Sequence, residues 1–281
     1  MRIAVTGATG QLGRAFQEIA AARHDLVCFG GAATPKGIDL RDADAAAKAI
    51  ASARPDWVLH AAAMTDVDGC ERDPDAAHRI NALGTQAVAQ AAARCGADLV
   101  AVSTDYVFDG ERGNYAEEDA PGPRSVYGRT KLEGERLAVA ALPGVVIARS
   151  SVVFGPHKKN FVLWLRGELA AGRPVRIVRD QHVNPTLTYD LSEQILALIG
   201  AEASGVFHTA GATSLSRLDM AYAVADHFHL PRDLITPIRT DELQWLAPRP
   251  RDATLNTAKV SRFKRPLTFP DALRRLGPVP A

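Results

Sequence analysis

Hydrophobic and polar positions fall into regular blocks along the first half of the chain. Short apolar runs typical of strands recur there, at residues 2–6, 25–29, 57–61, 98–103 and 145–149. Alanine-rich stretches that predict helices lie between several of them, at residues 43–53, 76–95 and 127–141. Strands this apolar are buried on both faces, and their alternation with helices indicates a parallel sheet covered on both sides. The pattern predicts an α/β fold with a doubly wound parallel sheet.

After about residue 151 this regularity weakens. The remaining signals are helix-like stretches and short strand-like runs, at residues 160–171, 175–178, 190–199, 205–208 and 218–228. We expect residues 1–150 to form one domain. Residues 151–281 then form mainly a smaller lobe over the strand ends, partly interleaved with the first domain, with some segments returning to it. Ligands of such sheets bind at the carboxyl ends of the strands.

Three glycines at three-residue intervals follow the first apolar run. Gly7 permits a tight turn, Gly10 lets the backbone approach a pyrophosphate, and Gly13 lets the following helix pack close to the strand. The spacing is one residue longer than in the commoner dinucleotide fingerprint. The strand–turn–helix context favours a dinucleotide site, and the alternative is a glycine-rich turn that binds no ligand.

Tyr127 and Lys131 are four residues apart, so a helix presents both on one face. An ammonium group near a phenol favours loss of the phenolic proton, which makes Tyr127 a candidate proton donor to a carbonyl under reduction. The same spacing also occurs by chance on solvated helices. Thr104 and Asp105 follow the fourth apolar run, where Thr104 can hydrogen-bond a substrate carbonyl. Alternatively, these residues only form a turn.

Other polar and small residues near the strand ends are candidate cofactor contacts. Asp39 can accept hydrogen bonds from the adenosine part of a dinucleotide, or serve as a charge at a helix start. The small residues at 61–63 permit close backbone approach, or simply close packing. No acid follows Gly30 to bind a ribose 2′-hydroxyl, which leaves NADH and NADPH both open. Arg14 and Lys36 can meet a 2′-phosphate or remain solvated.

Composition excludes several classes of partner. A net charge of +1 over 281 residues gives no strong field toward nucleic acid or a membrane surface. No apolar run is long enough to span a bilayer, and the start shows no signal-peptide pattern. The three cysteines have no metal-ligand spacing and suit a reducing cytoplasm. Arg249 can pair with a diphosphate, since a guanidinium matches phosphate oxygens, or can be solvated.

Together, these motifs resemble the extended short-chain dehydrogenase/reductase superfamily. The chain is most similar within it to the dTDP-4-dehydrorhamnose reductase family. The most specific piece is Ser-Thr-Asp-Tyr-Val-Phe-Asp-Gly at residues 103–110. Residues 160–162, 180–181 with 185–186, and 249–250 add support. The resemblance covers nearly the whole chain, strongly to about residue 155.

The resemblance implies a Rossmann-type domain that binds NADH or NADPH and a C-terminal lobe that binds a nucleotide-linked sugar. Hydride passes to the C4 carbonyl of a 4-keto-6-deoxyhexose. Tyr127 protonates the oxygen, Lys131 holds the ribose and lowers the pKa of Tyr127, and Thr104 polarises the carbonyl. The implied cofactor contacts are Gly7, Gly10, Gln11, Leu12, Gly13, Gly30, Asp39, Leu40, Ala61, Ala62, Ala63, Met64, Thr65, Val102, Tyr127 and Lys131. The implied substrate contacts are Thr104, Asp105, Val152, Asn160 and Arg249.

Two departures from the family pattern affect these expectations. Val152 stands where the family tends to carry a Trp that contacts substrate, which leaves the sugar open. Residues 14–16 lack the acid that some members use in a metal-bridged dimer, so no metal is expected. A homodimer is expected only by analogy. The alternatives are a sugar-nucleotide epimerase or dehydratase that retains NAD, and a non-catalytic regulatory subunit similar to that of methionine adenosyltransferase.

Overall fold

The computed structural model describes residues 1–31, 34 and 37–277. Its strands are β1 (Arg2–Thr6), β2 (Asp25–Gly31), β3 (Gly37–Ile38), β4 (Trp57–His60), β5 (Asp98–Thr104), β6 (Val146–Ser150), β7 (Val153–Phe154), β8 (Val175–Val178), β9 (His182–Val183), β10 (Thr186–Leu187), β11 (Gly205–His208), β12 (Leu215–Ser216) and β13 (Ile235–Ile238). Its α-helices are α1 (Gln11–Ala20), α2 (Ala43–Ala53), α3 (Val67–Arg72), α4 (Pro74–Ala77), α5 (Gly84–Cys95), α6 (Val126–Ala141), α7 (Phe161–Ala170), α8 (Thr188–Gly200), α9 (Arg217–His227) and α10 (Phe269–Leu276). A π-helical turn, His78–Leu83, joins α4 to α5.

Seven strands form one parallel sheet in the order β11-β6-β5-β4-β1-β2-β3. The chain builds outward from β1 in both directions, so the strand order reverses between β1 and β4. In such sheets the crevice beyond the carboxyl ends at the reversal point binds the ligand. The predicted doubly wound parallel sheet is confirmed.

Helices cover both faces of this sheet, as the apolar strand pattern requires. On one face, Phe16 of α1 and Ile195 of α8 pack against Leu59 of β4. On the other face, Ile50 of α2 and Val88 of α5 share a second core cluster with the remaining strand side chains. All five side chains in these two layers are fully buried. The sheet is therefore a rigid platform for the loops that follow its strands.

A third core cluster forms the smaller C-terminal lobe. Leu165 of α7, Val224 of α9 and Leu273 of α10 pack around Phe154. Short strand pairs support this cluster, namely β7 with β10, β8 with β13 and β9 with β12. The lobe is interleaved with the sheet domain because β11 pairs with β6 and α8 packs on α1. Among the described residues, no helix is both long and apolar enough to cross a bilayer.

Candidate active site

A cavity of about 910 Å³ opens at the carboxyl ends of β1, β4, β5 and β6. It brings together most of the candidate residues named from the sequence: Gly7, Gly10, Gln11, Leu12, Gly30, Asp39, Leu40, Ala61, Ala62, Ala63, Thr65, Val102, Thr104, Asp105, Tyr127, Lys131, Val152 and Asn160. Three candidates do not line it: Gly13, Met64 and Arg249. We call this space the main cavity.

The glycine loop has the shape that a pyrophosphate requires. Gly7 has φ +71°, and a Cβ there would lie 2.7 Å from the backbone nitrogen of Ala62. Gly10 starts α1 without a side-chain cap, so the first amide groups of the helix stay available to an anion. Gly13 lies behind the loop, where a Cβ would come 2.3 Å from the carbonyl oxygen of Gly7. Gly13 therefore supports the loop without lining the cavity.

The lining of the main cavity includes an ionised carboxylate, that of Asp39, paired with Arg41. Arg41 donates to Asp39 through Nε and Nη2, and this pairing lowers the pKa of Asp39 to about 2. The carboxylate therefore stays ionised and can accept hydrogen bonds from an adenosine group. Arg41 also lines the cavity, although sequence reasoning missed it. Arg14 does not line it and donates to the carbonyl of Thr9; Lys36 lies outside the described residues.

The first turns of α6 present Tyr127 and Lys131 to the main cavity. Ser125 caps the helix by accepting a hydrogen bond from the Gly128 amide at 3.1 Å. The Lys131 ammonium donates to the carbonyl oxygen of Val102 at 2.7 Å. Burial lowers the pKa of Lys131 to about 8, and the nearby carboxylate of Glu135 opposes that shift.

The pKa of Tyr127 differs from the sequence-based expectation. Burial raises it above the ordinary value of a phenol, and a hydrogen bond with Thr104 opposes that rise only in part. The expectation that Lys131 lowers this pKa is therefore wrong for the protein without cofactor, because desolvation and the nearby Asp105 carboxylate both raise it. Tyr106 packs edge-on against Tyr127, with ring centroids 5.6 Å apart, and contributes to the burial.

Thr104 and Asp105 form a hydrogen-bonded chain with Ser151. The Thr104 hydroxyl donates to Asp105 Oδ1 at 3.0 Å, and the Ser151 hydroxyl donates to Asp105 Oδ2 at 2.6 Å. Burial raises the pKa of Asp105 to about 6. A hydroxyl has a single proton, so while Thr104 donates to Asp105 its oxygen faces other groups as an acceptor.

Met64 is held behind the cavity by a residue that sequence reasoning missed. The Asn81 side chain accepts from the Met64 amide at 2.8 Å and donates to the Met64 carbonyl at 3.1 Å. Asn81 also donates to Thr130 of α6 at 3.2 Å. Asn81 lies in the π-helical turn. Its hydrogen bonds therefore connect the loop after β4 to α6, the helix of Tyr127. The sequence signal for it is only an Asn within the alanine-rich stretch 76–95, and the structure shows it to be fully buried.

Asn160 joins the lobe to the glycine loop. Its Oδ1 caps α7 by accepting from the Leu163 amide at 3.1 Å, while its Nδ2 donates to Gln11 Oε1 at 2.8 Å. Gln11 in turn donates to the carbonyl of Val153 at 3.0 Å. These bonds close one wall of the main cavity.

A second cavity of about 340 Å³ joins the main one at shared residues, Tyr106, Phe161 and Arg217. Arg249 lines this second cavity and is paired with Asp68, Nη2 to Oδ2, at 2.8 Å. The remaining lining is largely aromatic and apolar, and includes Trp164 and Trp245. Arg217 was not predicted from the sequence, because only the tertiary fold brings it to the junction.

Family comparison agrees with this geometry. Residues 1–276 match the model of the RmlD substrate binding domain family. The chain belongs to this family. A "dTDP-4-dehydrorhamnose reductase" of Mycobacterium tuberculosis is 38% identical over 265 residues, which cover 91% of this chain and 85% of that protein. The predicted resemblance is therefore confirmed.

Two further relatives of this RmlD-family chain bear on its function. A crystal structure of "dTDP-4-dehydrorhamnose reductase" from Bacillus anthracis "in complex with NADP" superposes with a TM-score of 0.92, at 30% identity and 98% coverage of both chains. The mouse "Methionine adenosyltransferase 2 subunit beta" is 33% identical over 272 residues, covering 92% of this chain and 81% of that protein.

Val152 is the main departure from the family pattern inside the cavity. Its φ is +32°, in the left-handed region that a β-branched residue rarely adopts. Its carbonyl accepts from the Thr186 amide at 3.1 Å, which holds the backbone in place. Backbone strain of this kind clusters at functional sites. The side chain lines the main cavity with far less surface than the expected Trp.

Proposed function

We propose that the protein is an NADH- or NADPH-dependent reductase of a nucleotide-activated 4-keto-6-deoxy sugar, in the manner of dTDP-4-dehydrorhamnose reductases, acting in the cytoplasm. One observation carries the proposal. Tyr127, Lys131 and Thr104 line the same cavity as the Gly7–Gly10 loop. A proton donor therefore shares one space with a site for a dinucleotide. The relatives with reductase names, and the NADP in the Bacillus anthracis complex, support the same assignment.

The residues present fit a nicotinamide dinucleotide. The amides at the start of α1 and the open turn at Gly7 would hold its pyrophosphate, and Asp39 would accept from its adenosine. Lys131 would hold the hydroxyls of the nicotinamide ribose. When bound in its reduced form, the cofactor supplies the hydride, and this chemistry belongs to the cofactor.

Tyr127 would act as the general acid. As the C4 carbon of the sugar gains the hydride, the electron pair of the C=O π bond moves to oxygen, and that oxygen takes the phenolic proton. Tyr127 then recovers a proton from solvent. Its raised pKa keeps the phenol protonated at neutral pH, which is the form that can donate. The cationic Lys131 would stabilise the phenolate that remains.

Asp105 would set the direction of the Thr104 hydroxyl. While the carboxylate is ionised it accepts the Thr104 proton, so Thr104 can only accept from Tyr127 or from a substrate hydroxyl. Thr104 becomes able to polarise the carbonyl only when its hydroxyl turns away from Asp105. Thr104 thus serves as an orienting contact for Tyr127 in addition to the predicted contact with substrate.

A cofactor-oxidation screen tests the proposal. Purified protein is mixed with NADH or NADPH and a panel of nucleotide 4-keto-6-deoxy sugars, and the loss of absorbance at the reduced nicotinamide is followed. Net oxidation that depends on one of the sugars is expected. Stoichiometric NAD retained through purification, with no net oxidation, would instead indicate an epimerase or dehydratase.

The similarity to the mouse regulatory subunit favours one second candidate, a non-catalytic subunit. Tyr127 and Lys131 lie in one cavity, an arrangement that reduction uses and a regulatory subunit does not need. This arrangement favours catalysis. The screen separates the two candidates. No oxidation with any sugar, together with a stable complex with a methionine adenosyltransferase, would establish the regulatory role.

A further inference from the structure

The junction of the two cavities holds the cationic side chain of Arg217. Arg217 lines both cavities, and its guanidinium lies over the ring of Phe161, 5.3 Å from the centroid. Within residues 1–31, 34 and 37–277, the Arg217 side chain forms neither a hydrogen bond nor an ion pair. Burial lowers its pKa, so the protein has placed this charge where water solvates it poorly. An unpaired charge in such a place is costly unless a ligand compensates it.

The other two arginines of the second cavity are already neutralised. Arg249 is 2.8 Å from Asp68, and Arg176 is 3.7 Å from Glu242. No acidic residue among those described lines this cavity. The carboxylate whose charge favours the Arg217 cation is that of Asp105, whose two oxygens already accept from Thr104 and Ser151. A bound anion is therefore the partner that Arg217 lacks.

The surroundings indicate which anion. On one side of Arg217 the main cavity leads to Tyr127 and Lys131, where the sugar carbonyl would react. On the other side the second cavity offers the rings of Trp164 and Trp245, on which a nucleobase can stack. The group that lies between the sugar and the nucleoside of a sugar nucleotide is the diphosphate. A guanidinium fork matches phosphate oxygens.

We propose that Arg217, and not the predicted Arg249, binds the diphosphate of the substrate at the junction, with the sugar in the main cavity and the nucleoside in the second. The inference rests on the proposed function for the identity of the sugar, but the diphosphate contact itself does not require turnover. A second source of the same chemistry is the pyrophosphate of the cofactor, so the experiment separates the two.

The experiment measures binding by calorimetry for thymidine, dTMP, dTDP and NADPH. For Arg217→Gln, the affinity for dTDP is expected to fall at least about tenfold, because a charge-assisted contact is lost. Affinities for thymidine and NADPH should stay within about twofold. Arg217→Lys keeps the charge without the fork and should show an intermediate loss. Arg232→Gln is the matched control outside both cavities and should leave dTDP affinity within about twofold, since it removes an exposed pair with Asp226.

Three results would overturn the inference: unchanged dTDP affinity in Arg217→Gln, a loss confined to NADPH, or no dTDP binding by the wild-type protein. Should Arg217→Gln fail to fold, Arg217→Lys tests the inference through its ratio of dTDP affinity to thymidine affinity. A ratio equal to that of the wild type would contradict the proposed contact. If the cofactor-oxidation screen is negative but dTDP affinity depends on Arg217, the reductase proposal fails and the diphosphate site stands. If the screen is positive but dTDP affinity does not depend on Arg217, the reductase proposal stands and the diphosphate site at Arg217 fails.

Discussion

The ammonium of Lys131 donates to the carbonyl oxygen of Val102 at 2.7 Å, so helix α6 is tied to the strand that ends at Thr104. This bond fixes the ammonium in the wall of the main cavity that Tyr127 also lines. The pKa of that ammonium, lowered to about 8 by burial, gives the first prediction.

Above pH of about 8, Lys131 loses its charge in the free enzyme. We expect kcat/KM for NADPH to fall with unit slope above that pH, because this parameter reports groups of the free enzyme. Lys131→Arg keeps its charge to higher pH. The alkaline fall of its kcat/KM should therefore begin at a higher pH, although its rate is lower. An alkaline limb at the same pH in both proteins would assign the titration to another group.

The lowered pKa of Lys131 also makes the free energy of unfolding depend on pH. Between pH of about 8 and 10.5 the unfolded chain carries a proton on Lys131 that the native protein does not. The contribution of Lys131 to the free energy of unfolding therefore increases as pH rises through that window.

Glu135 and Arg149 form a buried ion pair beneath the site, at 2.7 Å, with side chains only 7% and 6% exposed. Glu135→Gln leaves the Arg149 charge without a full partner, so the free energy of unfolding should fall by about 3 kcal/mol or more. Glu133→Gln is the control on the same helix. Its pair with Arg136 is 3.9 Å long and exposed, and the change should stay within about 0.5 kcal/mol. Denaturant unfolding measures both, and equal effects would refute the argument.

Gly7→Ala tests the dinucleotide turn. Residue 7 has φ +71°, and an added Cβ would meet the backbone of Ala62 at 2.7 Å. Strain of about 1–2 kcal/mol, together with the clash, should weaken NADPH binding about tenfold or more. Gly200→Ala adds a Cβ that meets nothing within 4 Å, so NADPH affinity should not change. Fluorescence titration with NADPH compares them, and wild-type affinity in Gly7→Ala would count against the site.

Strong, local patterns allowed the sheet to be predicted. Strand β5 extends one residue beyond its predicted end, because Thr104 still pairs with Ser150 of β6. The two-residue strands β7 and β10 had no such signal, since two residues carry no period. Domain boundaries and the homodimer stay predictions.

The candidate site was predictable where motifs are local and not where partners are distant. The glycine loop and the Tyr127–Lys131 pair are read from short spacings. The pairing of Arg249 with Asp68 joins residues 181 positions apart, which the sequence did not indicate. The raised pKa of Tyr127 depends on burial by other elements, which spacing along one helix does not report.

The most direct test of the account is the turnover of Tyr127→Phe with the keto-sugar nucleotide that the screen identifies. Removal of a general acid should lower kcat at least about a hundredfold, while NADPH affinity stays within about twofold. Tyr222→Phe, at a partly buried position packed against the core of the C-terminal lobe, should keep the wild-type rate. Turnover of Tyr127→Phe close to that of the wild type would contradict the claim that this phenol delivers the proton.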